Sequence, residues 1–107
     1  MEKLSATYEL DSIKEEFSEI EYLRMTKSAL NGAIALGIDS EEVVEVIQTM
    51  QRSMLTKSMT SNDDVKIWHD VYRVPHTDDY GDFEIYVKFT VGRDGKYLLI
   101  SFKEYEN

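Results

Sequence analysis

The sequence predicts an α+β fold, with two to three N-terminal helices packed on one face of an antiparallel β-sheet. Three observations lead there. Apolar residues recur at helical spacing through much of the first fifty residues. From Phe83 to Val91 they alternate strictly with polar residues, as on a half-buried strand. Between that stretch and the next apolar run lies Arg93-Asp94-Gly95, which carries the Asp-Gly signal of a tight hairpin. Helical patterns followed by consecutive strands make an α+β domain, and 107 residues suffice for one domain, spanning 1–107.

The first helix is expected over Leu10 to Ile20, capped by Asp11 or Ser12, with Ile13, Phe17 and Ile20 as its apolar stripe. Glu15, Glu16 and Glu19 lie off that stripe, on a solvated face. Tyr22 to Met25 is extended in character. Thr26 caps a second helix, Lys27 to Leu36, and Gly37 suits its left-handed stop. Leu30 and Ile34, with Ala29, Ala33 and Ala35, suit close helix packing. Asp39 or Ser40 caps a third helix reaching about Met50, with Val43, Val46, Ile47 and Met50 facing inward. Glu41 and Glu42 sit in its first turn, where the helix dipole favours them.

From Leu55 the character changes. Leu55 to Thr60 is β-compatible, and Asn62-Asp63-Asp64 marks a turn. Val65 to Val74 is rich in β-branched and aromatic residues and ends at Pro75, the only proline. Residues 76–82 read as a polar loop. Phe83 to Val91 points Phe83, Ile85, Val87, Phe89 and Val91 one way. Lys96 to Lys103 returns with Leu98, Ile100 and Phe102 on one face, and the charged tail Glu104 to Asn107 frays. The second sheet face is then left for Tyr86, Lys88, Ser101 and Lys103.

Composition narrows the function classes. The absence of cysteine removes disulfides, thiolate metal sites and a cysteine nucleophile. No run of about 18 apolar residues exists, so no membrane span is expected. The charged N-terminus lacks an apolar signal core, and a cytoplasmic location is expected. His69 and His76 show no metal-ligand spacing with acids, the glycines are scattered, and no cofactor or metal is expected. The net charge is −9, unevenly spread. Residues 1–50 hold eleven acids and four bases, whereas residues 51–107 hold ten acids and eight bases. A local cationic site in the back half is compatible with this balance, because local potential outweighs total charge.

The residues that could carry chemistry are cations and an imidazole on strands: Lys57, His69, Arg73, Lys88 and Lys103. Cleaving RNA without a metal needs a base for the 2′-hydroxyl, positive charge on the phosphorane, and an acid for the leaving oxygen. Histidine titrates near neutrality, and lysine and arginine supply fixed charge. The commoner roles of these residue types are plain, however. A strand histidine is usually structural, exposed lysines usually aid solubility, and Trp68 suits a core better than a stacking platform.

The motifs are more specific than the residue types. Lys57-Ser58-Met59-Thr60, Ile67-Trp68-His69-Asp70-Val71-Tyr72-Arg73, Ile85-Tyr86-Val87-Lys88-Phe89-Thr90-Val91 and Ile100-Ser101-Phe102-Lys103-Glu104 come in fixed order. This set resembles the motility quorum-sensing regulator (MqsR) family of toxins, whose pattern is KSMT, IWQDVYR, a VYLKITV-type strand and VSFKE. Thr26 to Leu30 and Leu36 to Asp39 resemble it less specifically, and the likeness spans roughly residues 10–104.

The resemblance implies a RelE-like fold and the toxin of a type II toxin–antitoxin system. It implies a metal-independent, sequence-selective endoribonuclease acting on mRNA, held inactive by a cognate protein antitoxin. The family's functional positions fall on Lys57, His69, Tyr86 and Lys103, with His69 standing where the family has glutamine. Imidazole there either adds acid–base capacity or weakens substrate positioning. Arg73, Lys88 and Tyr72 are the further expected substrate contacts. The acidity motivates an alternative reading: a non-catalytic relative whose acidic N-terminal half binds or inhibits a basic, nucleic-acid-binding partner.

Overall fold

The computed structural model describes residues 1–106. In chain order the elements are β1 (Glu2–Lys3), α1 (Leu10–Glu16), α2 (Lys27–Ala35), α3 (Ser40–Thr49), β2 (Leu55–Thr60), β3 (Trp68–Asp78), β4 (Gly81–Val91) and β5 (Tyr97–Glu104). The five strands form one antiparallel sheet in the order β1-β2-β3-β4-β5. The helices cover one face of it, as the pattern predicts. Ile13 and Phe17 of the first helical segment, Ala29 and Ala33 of α2, and Val43, Val46 and Ile47 of α3 meet Tyr72, Val74, Ile85, Val87, Phe89, Leu99 and Phe102 of the sheet. Phe17 stacks on Phe89 with ring centroids 6.0 Å apart.

α1 differs from expectation at both ends. Its N-cap is Glu9, with no side-chain cap, and not Asp11 or Ser12. Buried Leu10 opens the apolar stripe, which runs Leu10, Ile13, Phe17. The helix ends at Glu16, with Phe17 as its C-cap. Ile20 falls in a 3₁₀ turn, Ile20–Tyr22, and stands 50% exposed.

The caps of α2 and α3 form as read. The Thr26 hydroxyl accepts from the Ala29 N–H, the Asp39 carboxylate accepts from the Glu42 N–H, and Gly37 takes a φ of 71°. Each cap contributes about 1 kcal/mol. The packing face of α2 is not the expected one. Ala29 and Ala33 are buried, while Leu30 and Ile34 are 40% and 63% exposed. The cause is close approach: a Cβ on Gly32 would lie 2.0 Å from the Phe102 carbonyl oxygen. Only small residues fit between α2 and β5. The chain before α2 is also tied to that strand. The Leu99 N–H donates to Arg24, and the Thr26 N–H donates back to Leu99.

Three features of the sheet were not legible beforehand. β3 begins at Trp68 and not Val65. It runs through Pro75 into the expected loop, so that β3 and β4 make a long hairpin closed by Asp78↔Gly81. Pairing with β2 ends at Leu55↔Tyr72, which leaves that side of β3 open further on. A proline is tolerated in a strand where its missing N–H faces an open edge. A bulge in β4–β5, where Lys88 faces Ser101 but Phe89 faces Leu99, inserts Ile100 as an extra residue. The alternation of β5 flips there. Leu99 and Phe102 face the core, and Leu98 and Ile100 do not. Lastly, β1 pairs Glu2 with Met59 and Lys3 with Ser58, adding an edge strand that no pattern announced.

Candidate active site

The site lies on the open sheet face, away from the helices. Pleat and register place its residues. Lys57 of β2 and Lys88 of β4 both pair with Val71 of β3, and Lys88 also pairs with Ser101. In the next row Tyr86 lies between Arg73 and Lys103. Side chains on one face of adjacent strands stand about 5 Å apart when directly opposite. Three lysines from three strands thus converge around Tyr86 and buried Val71, in a chain of net charge −9.

A groove of about 670 Å³ follows this convergence. Thr56, Lys57, Tyr86 and Lys103 line it over Val71, with Glu104, Tyr105 and Glu106 along its rim. The Lys103 and Lys88 ammoniums lie 5.3 and 5.8 Å from the centre of the Tyr86 ring, within cation–π range. Burial pushes the Tyr86 phenol up, against the pull of Lys57, so it keeps its proton near neutrality. Burial first, then the charges of Lys103 and Lys57, pulls the Lys88 ammonium down. Lysines gathered on one face give a local positive potential that favours a bound anion.

Lys57 is held by an acid to which no sequence motif points. Its Nζ donates to Glu2 at 2.7 Å, and that hydrogen bond raises the lysine pKa. Glu2 is placed by β1 and by the segment behind it. The Asp70 carboxylate is fully buried and accepts from the Thr7 and Tyr8 N–H groups, the shortest at 2.8 Å, and from the Ser58 hydroxyl at 2.6 Å. The Ser of KSMT and the Asp of the Trp68–Arg73 run therefore anchor the N-terminus. Their neighbours Lys57 and His69 point to the opposite face.

The expected site residues divide. Lys57, Tyr86 and Lys103 share the groove. Lys88 stands beside it. His69, paired with Met59, sits two residues along β3 from Val71, roughly 7 Å away, and does not line the groove. Burial first, then the Lys88 charge, lowers its pKa, so the imidazole is neutral at pH 7. Arg73 is on the open face, but its guanidinium is engaged. It bridges to Glu84 at 2.6 Å and lies 4.2 Å beneath the centre of the Tyr105 ring. Tyr72 is corrected outright. It faces the helices, buried edge-on to Phe89, and burial pushes its phenol up to about 12. An odd-numbered neighbour of Val71 and Arg73 would face the site, whereas Tyr72 alternates away from it.

Tyr105 falls in the tail expected to fray, and it is instead held in place. Its N–H donates to the Glu84 carbonyl at 2.7 Å, which carries strand pairing one residue past β5, and its ring stacks beside Tyr86 at 6.4 Å. Trp68, expected in the core, is half-buried under the Lys3 ammonium. Among the described residues no three His, Asp or Glu side chains are grouped as metal ligands would be, and no helix is long and apolar enough to cross a membrane.

Comparison with known proteins found two likenesses that span nearly the whole chain. The family model described as "Motility quorum-sensing regulator, toxin of MqsA" matches residues 5–104. The mRNA interferase toxin MqsR of Escherichia coli (strain K12) is 36% identical over 104 residues, covering 97% of this chain and 99% of that protein.

Proposed function

The chain belongs to the motility quorum-sensing regulator family of toxins, and from that premise we propose that it is an endoribonuclease that cleaves mRNA without a metal. It is the toxin of a type II toxin–antitoxin pair, acting as one domain over residues 1–107 in the cytoplasm. The observation that carries this reading is the convergence of Lys57, Tyr86 and Lys103 in one groove.

In the proposed reaction Lys57 and Lys103 hold the scissile phosphate and offset the charge that grows on the phosphorane. The 2′-oxygen attacks its own 3′-phosphorus and gives its proton to solvent, while the neutral imidazole of His69, outside the groove, positions the adjoining nucleotide through its acceptor nitrogen. The bond to the 5′-oxygen breaks, and that oxygen leaves with a proton from Tyr86. Lys88 adds positive potential beside the groove. Arg73 serves indirectly, through Glu84 and Tyr105. RNA incubated with the protein in EDTA should give 2′,3′-cyclic phosphate and 5′-hydroxyl ends. Fragments with 5′-phosphates would overturn the chemistry.

Its protein partner is a cognate antitoxin. Glu19, Glu21, Glu41 and Glu45 gather on the helical side, where Glu19 raises the Glu21 pKa, so a basic segment of that partner suits this half. Association that persists unchanged in high salt would count against a basic contact.

A further inference from the structure

We propose that Tyr105 is a base-stacking residue of the groove, holding the nucleobase next to the phosphate that Lys57 and Lys103 bind. The inference deepens the RNA-cleaving reading and rests on it. Phosphate-binding lysines alone would hold any polyanion and leave the strand free to rotate about its backbone. Single-stranded nucleic acid is usually fixed by an aromatic face beside the cationic track.

The ring of Tyr105 has the placement such a surface needs. It lines the same groove as Lys57, Tyr86 and Lys103 and is half-buried. One face rests on the Arg73 guanidinium, 4.2 Å from the ring centre. Arg73 is itself fixed by Glu84 at 2.6 Å, and its Nε is buried without a hydrogen-bond partner among the described residues. A guanidinium engaged by Glu84 on one side and by the ring on the other supports the ring more than it reaches for substrate. The Tyr86 ring lies alongside at an interplanar angle of 29°, so the two aromatics form one wall. The N–H of Tyr105 is bonded to Glu84, which fixes the backbone beneath the ring. A ring held from below and from one side loses little freedom on stacking, so most of the contact energy goes into binding.

The test uses a mixed-sequence single-stranded RNA pool made uncleavable by 2′-O-methylation, and an abasic sugar–phosphate strand of equal length. Tyr105→Leu should weaken binding of the pool by about tenfold or more, in line with loss of one stacked base. It should leave binding of the abasic strand unchanged, and Tyr105→Phe should bind both as the parent does. In the unsubstituted protein, the Tyr105 ring resonances should shift upfield on titration with the pool and not with the abasic strand. A Tyr105→Leu protein that loses affinity for both strands equally, or for neither, would overturn the proposal, as would Tyr105 resonances that ignore the pool. Failure of the parent protein to cleave unmodified RNA while it still binds the pool would fall on the catalytic reading alone.

Discussion

The carboxylate of Glu2 lies 2.7 Å from the Nζ of Lys57, so the lysine that faces the groove already holds an anion supplied by the chain's own N-terminus. The bond raises the Lys57 pKa. Lys57 is therefore a fixed positive charge at neutral pH and not a proton acceptor. A phosphate bound at Lys57, as proposed, would share or displace Glu2. Glu2→Gln should tighten binding of single-stranded RNA by a few-fold at low salt, with the gain fading as salt rises, because the competing charge is exposed. Binding isotherms at two ionic strengths check this. Equal affinities of the two proteins at low salt would show that Glu2 does not compete.

Asp70 is the buried end of the same device. Its carboxylate accepts from Thr7, Tyr8 and Ser58. Asp70→Ala leaves two backbone N–H groups and a hydroxyl without their acceptor. Urea unfolding should show a loss of about 3 kcal/mol, in the range expected for hydrogen bonds to a charged group. The same change should free β1, and protease cleavage near the N-terminus should quicken.

Gly32→Ala tests the α2–β5 contact. Alanine is the better helix former by about 1 kcal/mol. Its methyl, however, would meet the Phe102 carbonyl at 2.0 Å, a backbone atom that cannot turn aside. Overpacking of this kind costs about 1–3 kcal/mol or more, so the variant should be net destabilised in chemical denaturation. Because Lys103 follows Phe102, its activity should fall as well.

His69 gives a pH dependence with a definite sign. Its folded pKa is lowered from 6.5, by burial first and by Lys88 second. The unfolded chain therefore binds more protons than the folded one between the folded pKa and 6.5. Stability from this residue is fully present above 6.5 and is lost as pH falls through the folded pKa. Cleavage should decline in the same window as the imidazole charges. His69→Gln, which installs the amide found in the family, should flatten both acid limbs while keeping activity within about tenfold, because the amide keeps an acceptor. Melting temperatures and rates between pH 5 and 7.5 provide the check.

What the sequence disclosed depended on whether a signal was local. Thr26, Asp39 and Gly37 act on their own turns, and all three behave as read. The Ile85, Val87, Phe89 alternation holds because the extra residue of the β4–β5 bulge lies in β5 and not in β4. β5 defeats the same reasoning, since one inserted residue at Ile100 exchanges Leu98 for Leu99 on the buried face. Pro75 reads as a stop unless the length of β2 is known, and that length is a tertiary fact. Leu30 and Ile34 look like core until Gly32 is seen against Phe102. At the site, Lys57, Tyr86 and Lys103 could be named through motifs, and strand alternation put Tyr86 and Lys103 on one face, whereas the face of Lys57 follows from its pairing with Val71. Glu2 and Tyr105 carried no motif. Their roles follow from edge pairing at β1 and from one extra hydrogen bond beyond β5, which no short-range pattern encodes.

In the proposed reaction everything turns on Lys57 and Lys103 acting together on one scissile phosphate. Initial rates of mixed-sequence RNA cleavage in EDTA, for the parent protein and for Lys57→Ala and Lys103→Ala, test it most directly. The parent should cleave site-selectively, and each variant should lose about 10²-fold or more in rate with folding intact. Parent-like rates in both variants, or no cleavage by the parent, would contradict it.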